Sequence, residues 1–198
     1  MSRRRSRPLV ALLAAVVLLV PTAAHAEKVV TEDPAGDVVT IVGDDLDQAT
    51  PAPEQTGADV VRTVVAHGDN RVAVTVHFRG LRHDPFHFTA IRVRTPRSTY
   101  DVLVERLGGT PITSLYRGEH EVDCRNLKGR VDLRTDTVGV TLPATCLGSP
   151  RWVRMGVGAV ALESDPTDEE HAVTGGDDAH RAGEVRDDLA WGPKVRRG

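Results

Sequence analysis

The chain has 198 residues, of which 27% are charged and 4% aromatic, with two cysteines and a formal net charge of −3. That length suits one domain with a flanking segment. An acidic balance excludes a general nucleic-acid binder, which would present a basic face.

The first 26 residues, "MSRRRSRPLVALLAAVVLLVPTAAHA", join an arginine-rich start to an apolar run from Leu9 to Val20 and end in Ala24-His25-Ala26. A basic n-region, a short apolar h-region and a small-x-small site predict a secretory signal peptide, residues 1–26, cleaved after Ala26. The apolar run is too short to span a bilayer, which takes about 20 residues. The expected product is extracellular or cell-wall associated, with no membrane span once the leader is removed. The leader holds four arginines and no acid, so the remainder carries 21 basic against 28 acidic residues, a net charge of −7.

Beyond the leader the pattern has period two almost throughout. "TEDPAGDVVTI" sets Asp33 and Asp37 around a Pro-Ala-Gly corner ahead of a strand at Val38–Val42. Asp33-Pro34-Ala35-Gly36 fits a type I turn, with Asp33 capping it through its own carboxylate. "DVVRTVVAHGDNRVAVTVHFRGL" reads as an antiparallel hairpin about Gly68-Asp69-Asn70. In its first arm Val60, Val64 and Ala66 are set about Arg62; in its second, Val72, Val74, Val76 and Phe78 alternate with polar residues. Further strands are expected at His87–Thr95, Thr99–Leu107, "PITSLYRG", "HEVDC", "RVDLR", "TVGVTLP" and "RWVRMGVGAVAL". In the last of these Val153, Met155, Val157 and Ala159 share one face. Gly156 and Gly158 lie on the other, where small residues permit close approach of an overlying loop. "LPATCLGSP" is a turn at most.

Sheets with one apolar face need a second layer. The expected fold is therefore an all-β antiparallel sandwich of about eight or nine strands over residues 27–163, jelly-roll or immunoglobulin-like. Cys124 and Cys146, an even pair in an exported chain, are expected to form a disulfide. From Glu163 onward ten acids and one aromatic predict an irregular, weakly ordered acidic tail over 164–198. Trp191-Gly192-Pro193 near its end is a candidate for pinning the tail back onto the sandwich.

Two groups of charged residues invite a chemical reading. Asp33, Asp37, Asp44, Asp45, Asp47 and Asp59 place six carboxylates within 27 residues, at the ends of strands that can be neighbours. Calcium takes six to eight oxygens from such groups. Two readings stand: solvated turn acids, or a calcium cage built from Asp33, Asp37, Asp59, Asp45 and Asp47. No EF-hand spacing is present, since Asp45-x-Asp47 is followed by Ala49 and Thr50 where a ligand and a glycine belong. The second group is basic. Arg79, Arg92 and Arg94 fall in one arginine-rich third of the chain, and Arg92 and Arg94, two apart on a strand, point the same way. They are candidates for binding an anionic wall polymer or an acidic partner, against the alternative of a charged face that keeps the sheet soluble.

The pieces "DPAGDV", "ADVVRTVVAHGDNRVAVTVHFRGL" and "LPATCLGSPRWVRMGVGA" resemble small secreted actinobacterial β-sandwich proteins. The first two are also similar to carbohydrate-binding modules of the family 9 type and their DOMON-like relatives. The resemblance spans Asp33 to Leu81. It implies a β-sandwich and, in some relatives, structural calcium at acids matching Asp33, Asp37 and Asp59. The chain departs from sugar binders in its aromatics, most of which fall at core-like strand positions.

No serine lies in GxSxG and no HExxH is present, so no catalytic residue is assigned. The sequence reading is a secreted, monomeric, non-catalytic binding or cell-surface accessory module. Calcium is its one candidate cofactor, and a cell-wall glycan or anionic polymer its candidate partner. The alternatives are a structural protein that binds an anionic polymer through the arginine face and, further off, a glycan-active enzyme.

Overall fold

The structure, a computed structural model, describes residues 26–42, 45–83, 86–165 and 168–198; the predicted leader lies outside these apart from Ala26. Among the described residues the chain is all-β. The strands are β1 (Glu27–Glu32), β2 (Val39–Val42), β3 (Asp45–Pro51), β4 (Val60–His67), β5 (Arg71–Phe78), β6 (Phe86–Arg94) and β7 (Thr99–Arg106). They continue as β8 (Ile112–Arg117), β9 (His120–Glu121), β10 (Lys128–Asp132), β11 (Thr137–Pro143), β12 (Trp152–Asp165), β13 (Asp168–Asp178) and β14 (Lys194–Arg196). One 3₁₀ turn, Ala144–Leu147, occupies the expected "LPATCLGSP" corner.

The strands form two antiparallel sheets. The first runs β1-β4-β5-β11-β10 and the second β3-β2-β13-β12-β6-β7-β8-β9, with β14 beside β12. One apolar cluster takes side chains from both sheets, so they pack in a sandwich-like arrangement. Val72, Val74, Val76 and Phe78 of β5 and Val138, Val140 and Leu142 of β11 meet Ile91, Val102, Val104, Leu115 and Val157 of the second sheet, all nearly or fully buried. Burying each such side chain stabilises the fold by roughly 1.5–3 kcal/mol.

The expected hairpin is β4–β5, closed by the Gly68 N–H to Arg71 O bond of 3.0 Å. Its first arm differs in phase from the expectation. A register shift between Val60 and Arg62 turns Thr63, Val65 and His67 inward, leaving Val64 and Ala66 on the outer face. An extra residue in one strand flips the side-chain parity beyond it, which a strict period-two reading misses.

Cys124 and Cys146 are bonded, with Cα atoms 5.7 Å apart, fastening the segment after β9 to the 3₁₀ turn after β11. Closing a loop of this size contributes about 3 kcal/mol on the chain-entropy account.

The acidic segment after Glu163 is not an irregular tail throughout. Asp168–Asp178 is a strand inside the second sheet, paired with β12 on one side and β2 on the other. Low hydrophobicity misleads here because neighbours fill the space of missing side chains. A Cβ at Gly175 would meet the Gln55 side chain, and one at Gly176 would meet Ile41. Residues 179–193 carry no strand and cross the outer face of the second sheet, and β14 returns to pair with β12. Trp191-Gly192 does pin this segment: Gly192 N–H donates to Met155 O (2.8 Å) and Arg154 Nε to Gly192 O (2.9 Å). No helix among the described residues is long and apolar enough to cross a membrane.

Candidate cation site

The turn between β1 and β2, the residue that opens β4, and the last residues of β13 converge at one corner of the sandwich. Three pairings bring them there. Asp33 N–H donates to Val61 O (3.0 Å), continuing the β1–β4 ladder. Gly176 of β13 stands opposite Val39 of β2. Asp177 then crosses between the sheets, its Oδ2 accepting from Val60 N–H at 2.8 Å. As a result one carboxylate oxygen from each of Asp33, Asp37 and Asp177 lies within 4.8 Å of the others.

The turn itself is centred on Ala35 and Gly36, with Gly36 at φ +82°, a conformation open to glycine without strain. The Gly36 N–H goes to Asp59 Oδ2 (2.8 Å) rather than to a capping Asp33. Asp59, fully buried, also receives Arg79 Nε at 2.8 Å. Asp37 Oδ2 accepts from Gly183 N–H at 3.1 Å. Each acid therefore has a structural partner for its backbone or for one oxygen. Yet Asp33 Oδ2, Asp37 Oδ1, Asp59 Oδ1 and Asp177 Oδ1 are all buried without a hydrogen-bond partner. Asp177 is only 3% exposed and Asp59 not at all. Unpaired carboxylate oxygens in such surroundings are costly unless a counter-charge faces them.

The electrostatics agree. Burial, then the charges of Asp177, Asp37, Asp178 and Asp59, push the Asp33 carboxyl up to about 8. Burial pushes Asp177 up to about 7, with Asp37 and Asp59 adding to it against the Val60 N–H. Asp37 and Asp59 are raised by burial too, each partly relieved by its backbone donor and by Arg79. Among the described residues Arg79 thus offsets Asp37 and Asp59, and no cation lowers Asp33 or Asp177. The donors are hard oxygens, with no His or Cys among the three clustered acids, the set suited to calcium or magnesium rather than zinc.

Of the sequence-predicted acids, the structure brings Asp33, Asp37 and Asp59 to this corner. Asp45 and Asp47 fall in the edge strand β3, and their side chains lie outside the described residues, as does Asp44. Sequence reasoning missed Asp177, which is 117 positions from the Val60 it bonds. The only local signal was "GGDD", read as part of an acidic tail.

The three arginines are not gathered together. Arg79 turns into the acidic corner, donating also to Pro53 O and to Gln55 O (2.6 Å). Arg92 and Arg94 do share the outer face of β6, where Arg92 pairs with Asp101 at 2.8 Å and Arg94 lies 5.9 Å over the Trp191 ring.

That outer face carries a second feature. Phe86, Phe88 and Tyr116 are not core residues but half-buried on the outside, and Phe86 and Phe88 are parallel with ring centres 6.3 Å apart. A groove of about 520 Å³ runs between this face and the segment above it. Phe88, Leu103, Tyr116 and Val160 line its floor, Val185 and Leu189 its roof, and Asp177 borders it. Both size and lining fall within the range of small-ligand sites.

No protein-family model, curated protein or solved structure matches the chain.

Proposed function

We propose that the chain is an exported, non-catalytic β-sandwich module held together at its acidic corner by a calcium ion, with Asp33, Asp37, Asp59 and Asp177 supplying ligand oxygens. The observation that carries this reading is the set of four buried carboxylate oxygens, from three separate stretches of chain, that have no hydrogen-bond partner. Calcium's tolerance for irregular oxygen shells suits acids contributed by a turn, a strand start and a strand end. Its work there is structural: it neutralises charge where the two sheets are stitched by Asp177 and Val60. The groove on the outer face supports the binding half of the reading, and the disulfide fits an oxidising destination.

The test is a thermal melt in calcium against chelator. A ligand that binds the native state alone stabilises it by about 2.7 kcal/mol at a hundredfold excess over Kd. The melting temperature is expected to rise with calcium, and the rise to vanish in Asp177→Asn. No shift at millimolar calcium would overturn the cation reading.

A further inference from the structure

The segment from Ala179 to Pro193 is a strap laid over the second sheet, and its fastenings lead to the acidic corner. Asp178, next in sequence to Asp177, takes both ends of the strap's inner turn on one carboxylate: His180 N–H on Oδ1 (3.2 Å) and Ala190 N–H on Oδ2 (2.9 Å). Arg181, 3.4 Å from that same carboxylate, reaches across to Asp188 at 3.0 Å. The middle of the strap is tied by Gly183 N–H to Asp37 Oδ2. Asp37 thus divides its two oxygens, one holding the strap and the other left unpartnered at the carboxylate cluster.

We infer that cation binding at the acidic corner fastens this strap over the outer groove. The inference rests on the cation reading above and adds a consequence to it. Three carboxylates within 4.8 Å repel one another unless a cation sits between them. Besides taking up protons, the acids can relieve the repulsion by moving the β1–β2 turn that carries Asp37 or the end of β13 that carries Asp177. The first move breaks the Gly183 tie, and the second displaces Asp178 with both strap ends. A cation that fixes Asp37 and Asp177 therefore fixes the strap.

What the strap covers gives the coupling its use. Leu189 lies directly on the glycines of β12: a Cβ at Gly158 would come within 2.6 Å of Leu189 Cδ2, and one at Gly156 within 2.9 Å of Leu189 Cβ. Val185, Arg186 and Asp187 complete the roof of the groove, above Phe88, Leu103 and Tyr116. Strap position sets access to those half-buried rings. By linkage, whatever occupies the closed groove tightens cation binding by the same factor.

The experiment is amide hydrogen exchange on the full exported chain, in calcium and in chelator, with the thermal melt measured in parallel. Calcium is expected to raise the melting temperature and to slow exchange at Gly183 and Ala190 by about tenfold, a coupling of ordinary size. Amides in the hairpin turn about Gly68, far from the strap's anchors in the pairing scheme, serve as the internal control and are expected to change less. Asp177→Asn is expected to leave the strap amides exchanging at the chelator rate in either buffer. A calcium-dependent rise in melting temperature with unchanged strap exchange would overturn the strap and leave the cation site standing. Absence of both responses would overturn the two together.

Discussion

The middle of the sandwich and its acidic corner are closed in opposite ways. Between the sheets Val72, Val76, Val102, Val104 and Val157 are fully buried and ask nothing of the solvent. Their backbone groups are satisfied in the ladders, and burial is favourable for each. At the corner Asp33, Asp37, Asp59 and Asp177 are drawn inward by the same ladders, yet each keeps an oxygen without a partner. The chain's own atoms complete the first region. On the proposal above, the second is completed from outside. The core should therefore respond to volume and ignore calcium, whereas the corner should respond to calcium and tolerate small changes of shape.

The largest expected effect comes from the core. Leu115 is 1% exposed inside the inter-sheet cluster, and Leu115→Ala leaves a cavity there. The cost is about 3 kcal/mol, read as a lower urea midpoint at unchanged slope. That loss should be equal in calcium and in chelator. A calcium-dependent cost would mean that the two regions are not separable.

A nearly equal effect is expected at the core's polar rim. His87 is fully buried, edge-on to Phe78, with Nε2 3.2 Å from Gly57 O. Burial first, and then the Arg106 charge, lower its pKa to about 4. The unfolded chain takes up this proton near 6.5 and the folded one only near 4, so the contribution of His87 to stability falls as the pH drops below 6.5 and continues to fall until about 4. The loss over that window is roughly 3 kcal/mol. His87→Gln should remove this component from the pH dependence of the urea midpoint. A variant with the wild-type slope would show that His87 is not held neutral.

Asp177→Asn tests the corner through a change of sign. Asn keeps an oxygen for Val60 N–H but removes one charge from the cluster. In chelator the variant should melt above the wild type, because one repelling carboxylate is gone. In calcium the order should invert, by up to about 2–3 kcal/mol at saturating ion. A variant that melts below the wild type in both buffers would make Asp177 only a hydrogen-bond acceptor between the sheets.

The two regions were unequally legible in the sequence for a physical reason. Alternation is local, so β5, β6, β7, β11 and the inner face of β12 could be read from apolar residues two apart. The disulfide followed from the expectation of export and an even cysteine count. Asp33, Asp37 and Asp59 were legible as a cluster because they are close in sequence. Asp177 was not, because only the pairing of β13 with β2 carries it to them. The whole of β13 was hidden by the same cause. Gly175 and Gly176 look like breakers in a polar stretch, yet they are the places where Gln55 and Ile41 need room. The bulge at Val60–Arg62 was invisible to a period-two count and moved the inward set of β4 by one residue.

The smallest predicted effect decides whether the strap belongs to the corner or to the core. At Gly156 an added Cβ would stand 2.8 Å from the Ala190 carbonyl and 2.9 Å from Leu189 Cβ, so the strap's backbone must lift. At Gly158 the closest obstacle is the terminal Cδ2 of Leu189, which can turn to another rotamer, while the Asp177 carbonyl at 3.3 Å has to give by only a few tenths of an ångström. Alanine also relieves the conformational-entropy penalty of glycine inside a strand, roughly 0.5–1 kcal/mol. That gain is common to both sites, so the difference between them isolates the strap. Gly156→Ala should cost about 1 kcal/mol more than Gly158→Ala. It should also speed exchange of the Ala190 amide, while the inward Met155 and Val157 on either side keep their packing. Equal melting points and equal Ala190 exchange in the two variants would mean that the strap does not rest on β12, and the groove beneath it would lose its roof.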